Sequence, residues 1–126
     1  MRVLTFIVLA LVLSSCAGAR DAKHLTLAEL AAANQTKSAQ LSVGMSKSDV
    51  VALMGTATAK TGDGIVNNPW STEVFKGNDG AQYEVLLYVT RKNQPFTPVR
   101  KSLTTPVVLK GGQVIGWGAN ADQGYR

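Results

Sequence analysis

The apolar residues change period at Trp70, and that change constrains the fold more than any other feature of the chain. Ahead of it, two segments carry helix-entry signals. Behind it, apolar and polar residues alternate, as in strands that turn one face to a core. The first helix signal is Thr26-Leu27-Ala28-Glu29, a capping box in which Thr26 accepts from a free amide and Glu29 returns the bond. Leu25, Leu27, Leu30 and the following alanines predict a short helix over 26–33. The polar run Asn34-Gln35-Thr36-Lys37-Ser38 is expected to end it. The second signal is sharper. Gly44 permits a tight turn, Ser46 is an N-cap, and Asp49 completes a second capping box. Met45 and Val50 stand at the two positions of a hydrophobic staple. Val50, Val51, Leu53 and Met54 form an apolar face, and Gly55 sits where a helix C-terminal glycine belongs, which predicts a helix over 47–54.

Residues 56–69 read as a loop, with turns at Thr61-Gly62-Asp63-Gly64 and Asn67-Asn68-Pro69. Four strands follow, over 70–76, 81–90, 106–110 and 113–117. Gly77-Asn78-Asp79-Gly80 joins the first two, and Gly111-Gly112, a favoured two-residue turn, joins the last two. In the second strand Tyr83, Val85, Leu87 and Val89 share one face. Leu86 and Tyr88 lie on the other, so that face is expected to be partly covered as well. Residues 91–105 form a long connection with prolines at 95 and 98, and 119–126 is expected to be a loose, flexible tail. Helices and strands kept apart along the chain argue an α+β fold, two short N-terminal helices packed on a four-stranded antiparallel meander. Helices this short need the sheet to stabilise them.

The N-terminus carries a different message. Arg2 precedes an apolar run, Val3 to Leu13, broken only by Thr5. That length is too short for a membrane span of roughly 20 residues and suits the apolar region of a secretory signal. Leu13-Ser14-Ser15-Cys16 follows, an aliphatic residue, two small residues and the only cysteine of the chain. It resembles the lipobox of bacterial lipoprotein signals. Residues 1–15 are therefore expected to be removed and Cys16 to be lipidated. One fatty chain binds a bilayer only marginally at about 0.8 kcal/mol per methylene, whereas two or three hold firmly. A lone exported cysteine cannot form an internal disulfide, and lipid attachment would use the thiol. Ala17, where the enterobacterial inner-membrane signal would have aspartate, points to the periplasmic face of the outer membrane. Removing 15 of 126 residues leaves 111, enough for one domain over 25–118 behind a tether at 16–24. The mature part keeps 12 of 13 Lys and Arg against 8 Asp and Glu, a net +4. So modest a charge favours an anionic surface or an acidic partner and does not imply nucleic acid.

Leu41, Gly44, Met45, Ser46, Val50, Leu53, Met54 and Gly55 resemble the helix entry of the SmpA/OmlA (BamE-like) small outer-membrane lipoproteins. Trp70 entering a strand, the strand of Tyr83 to Tyr88 and the hairpin from Val107 to Val114 continue the likeness over about 41–117. The resemblance implies a helix pair on an antiparallel sheet, similar to the β-lactamase inhibitor protein repeat. It also implies a non-enzymatic role in outer-membrane protein assembly or envelope integrity, with an envelope protein complex and anionic phospholipid as partners. The chain departs from that family at Thr56-Ala57, where proline is usual. Before Leu41 it lacks the asparagine- and tyrosine-containing stretch that carries the assembly factor's contacts. An inhibitor or ligand-binding module on the same fold is the alternative.

Catalytic chemistry finds few residues to work with. His24 is the only histidine and lies by the tether, where solvation is its expected state. No cluster of ligands for a metal and no cofactor motif is present; the Gly-rich pieces lack a P-loop lysine and dinucleotide spacing. Glu73 and Glu84 stand on strands that pair, and exposed acids facing lysines are expected there rather than a catalytic couple. The candidate binding residues are Arg91, Lys92, Phe96, Arg100 and Lys101, two basic pairs flanking an aromatic. They fit either a patch for anionic headgroups or a solvated loop edge. Trp70 and Trp117 are expected in the core, with a partner interface as the alternative.

Overall fold

The computed structural model describes residues 24–126. The expected signal segment, Cys16 and the expected tether up to residue 23 lie outside the described residues. Thr26 opens α1 (Leu27–Ser38), its hydroxyl accepting from the Glu29 amide at 3.1 Å. Ser46 opens α2 (Lys47–Met54) in the same way, accepting from the Asp49 amide at 3.1 Å. Met45 and Val50 meet in one core cluster, as a staple requires.

Helix α2 covers the predicted residues, but α1 does not stop at 33. It runs through the polar segment because Asn34 is buried and fully engaged there. Its amide donates to Asn68 Oδ1 and to the Val89 carbonyl, each at 2.8 Å. Asn68 Nδ2 returns a bond to Asn34 Oδ1 at 3.0 Å and donates to the Met54 carbonyl at 3.2 Å. Lys37 Nζ also reaches that carbonyl, at 3.3 Å. The unsatisfied C-terminal carbonyls of α2 are thus capped by side chains distant in sequence. Gln and Lys sustain a helix well, and Asn does so when its side chain is satisfied elsewhere.

Residues 56–69 are not simply a loop. They hold a small antiparallel pair, β1 (Ala59–Thr61) and β2 (Gly64–Val66), around the expected turn. Leu25 pairs in parallel with Ala59, and Ala59 and Val66 are buried against Leu27, Leu30 and Ala31 of α1. Strands of three residues are too short to show an alternating pattern.

The main sheet is an antiparallel meander, β3 (Ser71–Lys76), β4 (Gln82–Val89), β5 (Thr104–Lys110) and β6 (Gln113–Trp117), its spatial order matching the sequence. The fold is α+β, as the pattern of elements predicts. Strand β5 begins two residues ahead of the expected Pro106, which shortens the long connection. Gly111 and Gly112 both take positive φ, 59° and 75°, the backbone that a type I′ turn demands.

Both faces of the sheet are covered. Leu41, Val50 and Met54 pack on Leu86, Tyr88, Val107, Leu109 and Val114 on one side. Burial pushes the Tyr88 hydroxyl up to about 12. On the other side Tyr83, Val85, Leu87 and Val108 lie beneath Trp70, Phe75, Ile115, Ala121 and Tyr125. The two tryptophans therefore pack on the core, half-buried. The second cover corrects the loose tail expected at 119–126. Tyr125 lies on Tyr83 with ring centroids 5.1 Å apart, and its carbonyl accepts from the Asn78 amide at 3.1 Å. An apolar sheet face would otherwise meet water, and the last residues shield it.

Gly77 shows how tight that cover is. A Cβ there would strike the Tyr83 ring and come within 2.8 Å of the Tyr125 carbonyl oxygen. Gly77→Ala is expected to cost about 1–2 kcal/mol by overpacking, read as a lower urea midpoint. An unchanged midpoint would mean that the tail does not press on this hairpin in solution.

Candidate functional site

The connection between β4 and β5 is a protrusion with a closed neck. The amides of Thr90 and Arg91 both donate to the Leu103 carbonyl, at 2.9 and 3.1 Å. The Thr90 and Thr105 hydroxyls meet at 2.7 Å. Beyond the neck, the Thr97 amide bonds the Gln94 carbonyl at 3.2 Å, closing a turn with Pro95 and Phe96 at its centre. Asn93 Nδ2 donates to the Thr97 carbonyl and braces the same turn. Proline at the first central position and positive φ at the second define a type II turn, where glycine is normal at the second. Here the second position is Phe96, with φ of 63° and a fully exposed ring. A bulky residue in the left-handed region is an outlier that stores about 1–3 kcal/mol of strain. Residues that persist there cluster at functional sites, so Phe96 marks the tip as the candidate site.

Of the five candidate residues, four face outward and one does not. Arg91, Lys92 and Arg100 are exposed, like Phe96. None of the three pairs with a carboxylate among the described residues, and residues 91–103 contain no acid. Lys101 turns inward. Its Nζ donates to Glu73 Oε2 and Asp122 Oδ2, both at 3.0 Å. Arg126 binds the same two carboxylates, with Nε 3.0 Å from Asp122 Oδ2 and its guanidinium over the Phe75 ring. Burial pushes the Asp122 carboxyl up, but the hydrogen bonds from Lys101 and Arg126 outweigh it and hold the carboxyl below its ordinary value. Burial pulls Lys101 down, yet Glu73 and Asp122 raise it overall. Lys101 is thus a fastener that ties the base of the loop to β3 and the tail. Sequence reading put it in the patch because nothing local distinguishes it from Arg100.

Asp122 and Arg126 escaped the sequence reading altogether. Their one local signal is the i,i+4 spacing of opposite charges. Val99 was missed too. It packs with Trp70 and Leu25 against the cluster under α1. The return limb of the loop and the first described residues therefore pack on the same cluster. The Leu25 amide bonds the Thr58 carbonyl at 3.0 Å, and His24 Nδ1 sits 2.7 Å from the Thr58 hydroxyl, so the entry of the chain is fixed there.

The other candidates resolve into ion pairs. Glu73 and Glu84 point to opposite faces of the sheet, because Val74 rather than Glu73 stands opposite Glu84. Glu73 joins the Lys101 network, and Glu84 pairs with Lys47. Among the described residues no three His, Cys, Asp or Glu side chains gather as a metal site needs. No helix among them is long and apolar enough to cross a membrane.

The fold and its exposed chemistry define a small α+β domain that presents a braced basic loop tipped by an aromatic. The chain belongs to the family described as "Protein of unknown function (DUF3192)", whose model matches residues 10–124. No curated protein and no solved structure matches it.

Proposed function

We propose that this is a non-enzymatic lipoprotein, anchored through Cys16 on the periplasmic face of the outer membrane, that serves as a binding or scaffold component in envelope assembly or integrity. The observation that carries the reading is Phe96, an exposed aromatic held in strained backbone among Arg91, Lys92 and Arg100, in a loop whose Val99 packs on the same cluster as Leu25, where the chain enters the fold. The seven residues between Cys16 and His24 reach at most roughly 25 Å when extended. An anchor that short keeps this end of the domain near the headgroups. Each cation near an anionic surface contributes about 1 kcal/mol, and the phenyl ring adds apolar burial in the interface. The likeness of residues 41–117 to the SmpA/OmlA lipoproteins supports the same direction, and an envelope protein complex is the partner class it suggests.

The test compares the full chain with Cys16→Ala in the native bacterium. Intact mass is expected to show an acylated Cys16 N-terminus for the wild type, recovered with the outer membrane. The variant is expected to stay unprocessed and to leave that fraction. Normal partitioning of Cys16→Ala would end the reading. In addition, Phe96→Ser with Arg91→Ser is expected to lower cross-linking to envelope proteins or adherence to anionic vesicles at least tenfold, more at low salt. If the pair changes neither, and the loop instead captures a soluble enzyme, the inhibitor reading replaces this one.

A further inference from the structure

The two edges of the main sheet are treated differently. Strand β6 is closed by the segment leading into α2. The Gly44 amide bonds the Val114 carbonyl at 2.8 Å, the Val114 amide bonds the Met45 carbonyl at 2.8 Å, and the Lys47 amide bonds the Gly112 carbonyl at 3.1 Å. Strand β3 has no such cover among the described residues. Its register with β4 runs unbroken from Ser71↔Leu87 to Lys76↔Gln82, with neither bulge nor proline. Bulges and prolines are among the devices that keep an edge from accepting another strand, and of the charged side chains that serve the same end β3 carries Glu73 and Lys76.

The phase of the free groups follows from the hairpin. The Gly77 amide bonds the Ala81 carbonyl at 2.8 Å, which makes 77 and 81 a hydrogen-bonded pair. By antiparallel alternation Ser71, Glu73 and Phe75 then bond β4, and the N–H and C=O groups of Thr72, Val74 and Lys76 face outward. The same three residues expose their side chains, Val74 to 59%.

We propose that β3 pairs with β3 of a second copy of this chain, antiparallel about a two-fold axis at Val74, which fuses two four-stranded sheets into one. In that register the two Val74 side chains face each other, and Thr72 of each copy faces Lys76 of the other. Glu73 of each copy faces Phe75 of the other, whose ring carries Arg126. The Glu73 carboxylate so gains a guanidinium from across the axis. Neighbouring registers lack this complementarity. An axis at Glu73 sets carboxylate on carboxylate, one at Phe75 sets the two Arg126 groups together, and one at Lys76 opposes ammonium groups. Like charges directly opposite destabilise a strand pair. Of the axes from Glu73 to Lys76, the one at Val74 is therefore the register that opposes no like charges and gives each Glu73 a guanidinium partner.

Light scattering of the full chain in detergent, over a concentration series, is expected to show the mass rise from monomer to dimer. Val74→Lys places two ammonium groups on the axis and is expected to weaken the dimer at least a hundredfold, since like charges set together across an interface oppose association. Val74→Ile is expected to keep it. In the wild type, hydrogen exchange at the amides of Thr72, Val74 and Lys76 is expected to slow as concentration rises, a reading that needs no variant. A wild type that stays monomeric, or edge amides that exchange equally fast at every concentration, overturns the proposal. So does Val74→Lys dimerising like the wild type. None of these results depends on lipidation of Cys16.

Discussion

Asn34→Leu is expected to destabilise the domain by about 3–4 kcal/mol, although leucine shares the branched heavy-atom skeleton of asparagine and the site is buried. Asn34 is the hub of a polar cluster that joins three elements. It donates to Asn68 on the loop after β2 and to the Val89 carbonyl at the end of β4, and it accepts from Asn68. Asn68 in turn caps the Met54 and Gly55 carbonyls at the end of α2. Leucine leaves Asn68 Oδ1 without its donor and removes a bond from the Val89 carbonyl, both beneath α1. A buried polar group stripped of its partner costs about 1–3 kcal/mol, and two are stripped here. Chemical denaturation measures the loss. The double variant Asn34→Leu with Asn68→Leu is expected to lose less than the sum of the single changes, because each single change already orphans the other amide. A loss below 1 kcal/mol for Asn34→Leu would show that the cluster is decorative and that apolar packing alone holds α1 to the sheet.

Asp122→Ala is expected to cost about 2–3 kcal/mol and to free the last residues. Removing one partner of a buried ion pair leaves the others uncompensated, at about 3–5 kcal/mol when all are buried. Here Lys101 and Arg126 keep about a third of their side chains in water, at 39% and 34%, so the loss falls below that range. Glu73→Ala, which removes the more exposed carboxylate, is expected to cost under about 1 kcal/mol. Tryptic cleavage after Lys101 and loss of the Tyr83–Tyr125 contact by NMR would report release of the tail. Asp122 also sets the direction of the pH response. Its carboxyl is held below the ordinary value of 3.8 in the fold. Its contribution is therefore complete above that value and is lost as the pH falls through the lower, folded one. Lys101 is raised above 10.5, so its share is complete below that value and is lost as the pH climbs through the higher, folded one. Tail docking is thus expected to hold across neutral pH and to fail at strong acid before the helix face does. Simultaneous loss of both faces in acid would contradict this assignment.

Much of the architecture was legible because its signals are local. Ser46 with Asp49, Thr26 with Glu29 and Gly111 with Gly112 each act within a few residues: both hydroxyls accept from the amide three residues on, although neither the Glu29 nor the Asp49 carboxylate returns the bond expected of a capping box, and both glycines take the positive φ their turn demands. The alternation in 71–76 and 82–89 is legible for the same reason, since side chains on a strand change face at every step. The candidate loop was visible through its prolines and basic pairs. Its inner division was not. Arg100 and Lys101 are neighbours of like charge, and only the positions of Glu73 and Asp122 decide that Lys101 folds inward.

Taken by itself, the chain determined the two helix starts, the hairpin turns, the four-strand meander and a long basic connection, because caps, turns and strand periods are settled by nearest neighbours. The tertiary structure alone decided that α1 continues past residue 33, that Asn34 and Asn68 join across 34 positions, and that the last residues close the second sheet face. Those outcomes depend on groups far apart in sequence finding hydrogen-bond partners or apolar cover. Whether a polar residue ends a helix or is buried within one is settled by what packs against it.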